Sequence, residues 1–208
     1  MKLFLYSLML LGKHIDAIKE LCGKEPHDLS VALIENAADV VTEGPDGWVE
    51  EIRNSLKLVG FKITLIDLRE YFEKLQDLEK VIKNSDVIWI GGGNMFYLRW
   101  ILRETKADIF IAEMIRSGKI YCGWSAGACV AGPTLLDGEK IDDITQAKKV
   151  IYEGMNLVDF VMIPHMDSAY FSESAKEWNA RLKSRGVKTI PLNDNQGIKI
   201  DDQKIEII

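Results

Sequence analysis

Short apolar runs alternate along this chain with stretches whose apolar residues recur at helical spacing. The runs predict strands at Leu3–Leu8, Leu29–Ile34, Lys62–Ile66, Val87–Ile90, Ile120–Gly123, Phe160–Ile163 and Thr189–Leu192. A closing hairpin is expected from Gly197–Ile200 and Lys204–Ile207, turning at Asp201-Asp202-Gln203. Between the strands, Trp48–Leu58 carries Val49, Ile52 and Leu56 on one face and ends at Gly60. Leu75–Lys83 places Leu75, Leu78, Val81 and Ile82 together. Asn94–Arg103 and Asp108–Arg116 follow, the second closed by Gly118. A last long helix runs to about Ser184 before Gly186, with Ser172 or Ser174 as its cap.

Strand–helix–strand alternation predicts an α/β fold: a mostly parallel sheet with helices on both faces and a C-terminal β-hairpin. Val87-Ile88-Trp89-Ile90 is apolar without alternation, as a strand covered on both faces must be. Right-handed crossovers leave a crevice at the carboxyl ends of such strands. Residues that directly follow strands are therefore the first place to look for chemistry.

The 208 residues, 47% of them hydrophobic, suffice for one domain with a sizeable core, and residues 1–208 are read as a single domain. The net charge of -6 comes with both signs dispersed, and no basic stripe marks a nucleic-acid partner. The run Met1–Leu11 has one basic residue and no small-residue cleavage site after it, and it is far short of a membrane span. It reads as a buried first strand, with a signal peptide as the alternative. Three cysteines, Cys22, Cys122 and Cys129, form no metal-like spacing and fit a reducing cytoplasm. No metal cluster is evident, because Asp142-Asp143 and Asp201-Asp202 read as solvated turns. No cofactor and no membrane partner are expected, and the oligomeric state is not legible.

Four post-strand segments carry candidate chemistry. Gly123-Trp124-Ser125-Ala126-Gly127 is a G-x-S-x-G bend that pushes a serine hydroxyl out of the sheet. A serine-capped start of a small-residue helix is the plainer reading. Gly91-Gly92-Gly93-Asn94 bares backbone N–H groups, and the N–H groups of Gly93 and Ala126 could form an oxyanion hole. A phosphate loop or a simple turn competes, although neither glycine fingerprint for phosphate is present. Pro164-His165 ends the Phe160–Ile163 run, and His165 is the one histidine of three so placed; His14 and His27 are not. Asp194 follows the Thr189–Leu192 run, where a carboxylate could orient the imidazole, although Asn193–Gly197 is also good turn chemistry. Gly92, Asn94, Trp124 and Tyr170 are candidates for contact with substrate.

Taken together, Gly91-Gly92-Gly93-Asn94 with Phe96 and Leu98, Gly123-Trp124-Ser125-Ala126-Gly127-Ala128, Pro164-His165 and Leu192–Ile198 resemble the peptidase E family of serine peptidases, the family of aspartyl dipeptidase. The resemblance spans nearly the whole chain, in order. It implies a flavodoxin-like three-layer sandwich related to class I glutamine amidotransferase domains. It further implies Ser125 as nucleophile, His165 as base, Gly93 and Ala126 as oxyanion hole, Asp194 as acid and a short peptide as substrate. Some members carry an aspartate some fifteen residues after the serine, which makes Asp137 and Asp142 alternatives to Asp194. Aspartyl dipeptidases also carry an arginine in a longer loop after the histidine; Met166–Glu173 is short and has none, and Arg181 lies further on.

Rival readings are separable on the sequence. An α/β-hydrolase esterase runs serine, acid, histidine, whereas no histidine follows His165 here. A glutamine amidotransferase needs a cysteine at the tip of the bend, and Cys122 and Cys129 only flank it. A different class is a non-catalytic flavodoxin-like module that binds a small anion or peptide at Gly91–Asn94.

Overall fold

The computed structural model describes residues 1–42 and 47–208. Its strands are β1 (Lys2–Tyr6), β2 (Ser30–Ile34), β3 (Lys62–Ile66), β4 (Val87–Ile90), β5 (Ile120–Trp124), β6 (Val161–Ile163), β7 (Thr189–Pro191), β8 (Gly197–Asp201) and β9 (Lys204–Ile207). Seven of them form one sheet in the order β3-β2-β4-β5-β1-β8-β9. The first five in that order are parallel; β8 and β9 are antiparallel additions at one edge. β9 returns against β8 through a tight turn at Asp202, whose φ is 53°.

Alternation along each strand serves two cores. Leu3 and Leu5 of β1, Ile34 of β2 and Ile90 of β4 face α3 (Leu75–Lys83), α4 (Met95–Glu104), α5 (Ala107–Arg116) and α7 (Ser172–Ser184). Phe4 and Tyr6, Leu33 and Trp89 face the opposite layer, α1 (Gly12–Cys22) and α2 (Trp48–Val59). The architecture is therefore the expected three-layer α/β sandwich with a C-terminal hairpin. Among the described residues no helix is long and apolar enough to cross a membrane.

Three local features differ from the pattern-based expectation. The helix α1 falls where no element was expected, although His14, Ala17, Ile18 and Leu21 bury one face at helical spacing. Its N-cap is Leu11, whose N–H donates to the ring Nδ1 of His14 at 3.3 Å, so the usual polar cap signal is missing. α7 is not capped by Ser172 or Ser174: Phe171 is its N-cap, and the Ser168 hydroxyl accepts the N–H groups of Tyr170 and Phe171 just before it. Finally, β6 and β7 stand outside the seven-stranded sheet and pair in parallel with each other. Their sequences carry ordinary strand signals, and nothing local reveals which sheet they join.

One charged cluster underlies the helical layer behind the glycine loop. Arg99 of α4 is 1% exposed and donates to Asp108 of α5 at 2.8 Å; its Nε donates to the Glu153 carbonyl. Arg103 also donates to Asp108. The multiple partners answer the cost of burying the guanidinium.

Candidate active site

The bend after β5 is forced by packing. Ser125 has φ 44° and ψ −114°, a conformation that side chains rarely adopt and that costs roughly 1–3 kcal/mol. Its N–H donates to the Tyr6 carbonyl at 3.0 Å, and its own carbonyl accepts the N–H groups of Ala128 and Cys129 in α6 (Ala126–Cys129). A Cβ on Gly127 would sit 2.1 Å from the Ile90 carbonyl oxygen, and one on Gly123 would sit 2.7 Å from that of Gly127. The flanking glycines are therefore places where two backbones touch.

The glycine loop after β4 is stitched to that bend. Gly127 N–H donates to the Gly91 carbonyl, Gly91 N–H to Ile34, and Asn94 N–H to Ala37. Gly93 takes φ 134°, and a Cβ there would fall 2.2 Å from the Ala37 carbonyl oxygen. Among the described residues the N–H groups of Gly93 and Ala126 have no backbone partner. Gly92 lies directly beneath the Trp124 indole. Trp124 itself is buried and packs on Tyr6 and Trp48.

Asn94 is engaged elsewhere. Its side-chain oxygen accepts the N–H groups of Phe96 and Tyr97 at the start of α4, and its amide donates to the Asp143 carbonyl. The Asp142 carboxylate accepts the Met95 N–H at 2.8 Å. The two side chains together hold the first turn of α4, and with it the exit of the glycine loop. Part of Asp142 reaches solvent, yet its carboxyl is enclosed; burial pushes it up to about 6, with the Met95 N–H and His165 pulling the other way.

His165 follows β6 and is a non-glycine residue at φ 65°. Its Nε2 lies 2.9 Å from Ser125 Oγ, and its Nδ1 lies 2.6 Å from Asp194 Oδ1. Burial works to raise the Asp194 carboxyl, but the hydrogen bond and charge of His165 and the Ser7 hydroxyl hold it below its usual value. Asp137 pairs with Arg185, and Asp142 caps α4; of the three carboxylates considered, Asp194 alone contacts His165. His14 is buried against Phe4 and Tyr6, and His27 lies at the surface beside Asp28. Tyr170 is 90% exposed, while its neighbour Phe171 packs against His165 with ring centroids 5.3 Å apart and the rings tilted by 36°.

The residue that sequence reasoning missed is Ser7. It ends the descent of β1 and sits between the two halves of the site. Its hydroxyl donates to Asp194 Oδ1 at 3.0 Å and accepts the His165 N–H at 2.8 Å. The strand expected over Leu3–Leu8 hid it; β1 actually stops at Tyr6, which places Ser7 among the post-strand residues.

Cys122 and Cys129 are buried, and burial holds both thiols well above their ordinary value, so neither supplies a thiolate. Among the described residues no group of three or more histidine, cysteine or acidic side chains could hold a metal ion.

A serine hydroxyl joined to an imidazole at the carboxyl ends of a mainly parallel sheet is the layout of a serine-type hydrolase. The profile of Peptidase family S51 matches residues 10–208, and the chain belongs to that family of peptidases. It is 30% identical to Peptidase E of Nostoc sp. strain PCC 7120, over 86% of this chain and 72% of that protein. It is 29% identical to Lin0382, an uncharacterized peptidase of Listeria innocua serovar 6a, over 76% of this chain and 75% of its relative. A crystal structure of a provisionally assigned Peptidase E protein from Listeria monocytogenes EGD-e superimposes with a TM-score of 0.85 at 26% identity, covering 100% of this chain and 97% of that one.

Proposed function

We propose that the protein hydrolyses short peptides, in the manner of a dipeptidase, through Ser125, His165 and Asp194. The observation that carries the reading is the unbroken relay from Ser125 Oγ to His165 Nε2 at 2.9 Å and from His165 Nδ1 to Asp194 at 2.6 Å. Ser125 attacks the scissile carbonyl while His165 takes its proton. The negative charge that develops on the carbonyl oxygen is met by the N–H groups of Gly93 and Ala126. His165 then returns the proton to the leaving amine, the C–N bond breaks, and water hydrolyses the acyl-enzyme by the same steps in reverse order. Asp194 keeps Nδ1–H directed at its carboxylate and stabilises the imidazolium.

The bare glycine backbone at Gly92 and the adjoining Trp124 indole frame the acyl side, and Asn94 acts by fixing the loop that carries Gly93. Three unpaired cysteines support work in a reducing compartment, which is the cytoplasm on this reading.

A fluorophosphonate probe tests the nucleophile directly. Stoichiometric labelling at Ser125 is expected, together with loss of turnover by ~10³-fold or more in Ser125→Ala. A Ser125→Ala protein that cleaves peptides at the wild-type rate rejects the mechanism, and a folded protein inert to the probe favours binding without catalysis.

A further inference from the structure

The leaving amine must come within hydrogen-bond reach of His165 Nε2, so the residue that carries it lies beside the imidazole. The surroundings of that imidazole therefore select the leaving residue. One face of the ring is covered by Phe171, whose centroid is 5.3 Å away and whose side chain is still 42% exposed. Around Asp194, the N–H groups of Leu8 and Met9 donate to the Asp194 carbonyl, which fixes these two residues at the rim. Leu8 is 43% exposed and Met9 49% exposed. Two carboxylates also stand here: Asp194, and Asp167, whose carboxylate accepts the Asp194 N–H. Phe171 against the imidazole, and Leu8 and Met9 anchored to the Asp194 backbone, are large apolar residues open to solvent, and such surface gains from being covered.

We propose that this peptidase prefers substrates whose leaving residue bears an apolar side chain, seated on Phe171 and bordered by Leu8 and Met9. The inference rests on His165 serving as the proton donor to the leaving amine. An apolar side chain there removes apolar surface of both partners from water. An acidic side chain there meets the Asp167 and Asp194 carboxylates and loses the same gain.

The test is a matched peptide set with one constant acyl residue and Phe, Leu, Ser or Asp as the leaving residue. Wild-type kcat/KM is expected to favour Phe and Leu over Ser and Asp by about tenfold, the scale typical of a partly open apolar subsite. In Phe171→Ala the ratio should collapse toward unity, chiefly through KM for the Phe and Leu peptides. Phe171→Leu should restore most of it. A wild-type enzyme indifferent to the leaving residue, or a Phe171→Ala enzyme that keeps the full ratio, overturns the proposal. Fluorophosphonate labelling of Ser125 in each protein separates the two levels. Labelled, active enzyme without the preference rejects the subsite alone, whereas a folded, unlabelled and inactive wild type rejects the mechanism beneath it as well.

Discussion

The glycine loop and Ser125 stand at the ends of β4 and β5, adjacent strands of the seven-stranded sheet, whereas His165 and Asp194 follow β6 and β7, which among the described residues pair with each other alone. The two halves of the site are held by different forces. The Ser125 half is fixed by backbone against backbone, with glycines where a Cβ would fall 2.1 to 2.7 Å from neighbouring carbonyl oxygens. The imidazole half relies more on side-chain hydrogen bonds, and Ser7, which follows β1, ties it to the main sheet together with the backbone N–H groups of Leu8 and Met9 on the Asp194 carbonyl. The first half should therefore fail by steric intrusion and the second by removal of a polar group.

The largest effect is expected on the imidazole side. Asp194→Asn keeps the shape but removes the carboxylate proposed to fix the tautomer of His165; kcat should fall by about 10³–10⁴, read from single-turnover peptide cleavage. A loss under tenfold places the acidic role elsewhere. On the Ser125 side, Gly127→Ala forces a methyl into the Ile90 carbonyl and should cost about 2–3 kcal/mol of stability in urea unfolding. Unchanged stability there contradicts the close backbone packing.

Ser7→Ala removes the side-chain part of the tie between the halves. It leaves the His165 N–H without its acceptor and removes one donor to Asp194, a loss of about 1–2 kcal/mol. If that loss falls on the transition state, kcat drops about five- to thirtyfold, with the fold intact by circular dichroism. An unchanged kcat would make Ser7 a bystander.

The last effect is confined to a change of pH and falls on Asp142, whose carboxyl is enclosed. Its carboxyl titrates at about 6 in the folded protein, above its unfolded value of about 3.9, so folding takes up a proton between those limits. The stability this contributes is full below about pH 3.9 and is lost as pH rises through 6. Asp142→Asn abolishes that loss while keeping an acceptor for the Met95 N–H. Relative to wild type, the variant should gain about 2 kcal/mol between pH 4 and pH 7.5. A difference in melting temperature that stays flat across that range removes the perturbed carboxyl.

Much of the frame was legible because its signals are local. The run Val87–Ile90 followed by three glycines, and Ile120–Gly123 followed by Trp124-Ser125, mark strands that stop at bends whatever lies beside them. The same reasoning selected Pro164-His165 and Asp194, and the structure brings both side chains together with Ser125. The helix α1 was legible too, in the spacing of His14, Ala17, Ile18 and Leu21, but the apolar run before it and the absence of a polar cap obscured its start.

The sequence by itself determined that this is an alternating α/β chain with a serine on a tight bend, and where each strand hands over to a loop. Periodicity and turn chemistry act over a few residues, so they can be read without knowing the partners. Only the tertiary structure decided that β6 and β7 leave the main sheet and that the Ser7 hydroxyl joins the His165 backbone N–H to the Asp194 carboxylate. Ser7 reaches His165 across 158 positions of chain and Asp194 across 187, and a hydrogen bond between residues that far apart is set by how the layers pack, not by the pattern around either one.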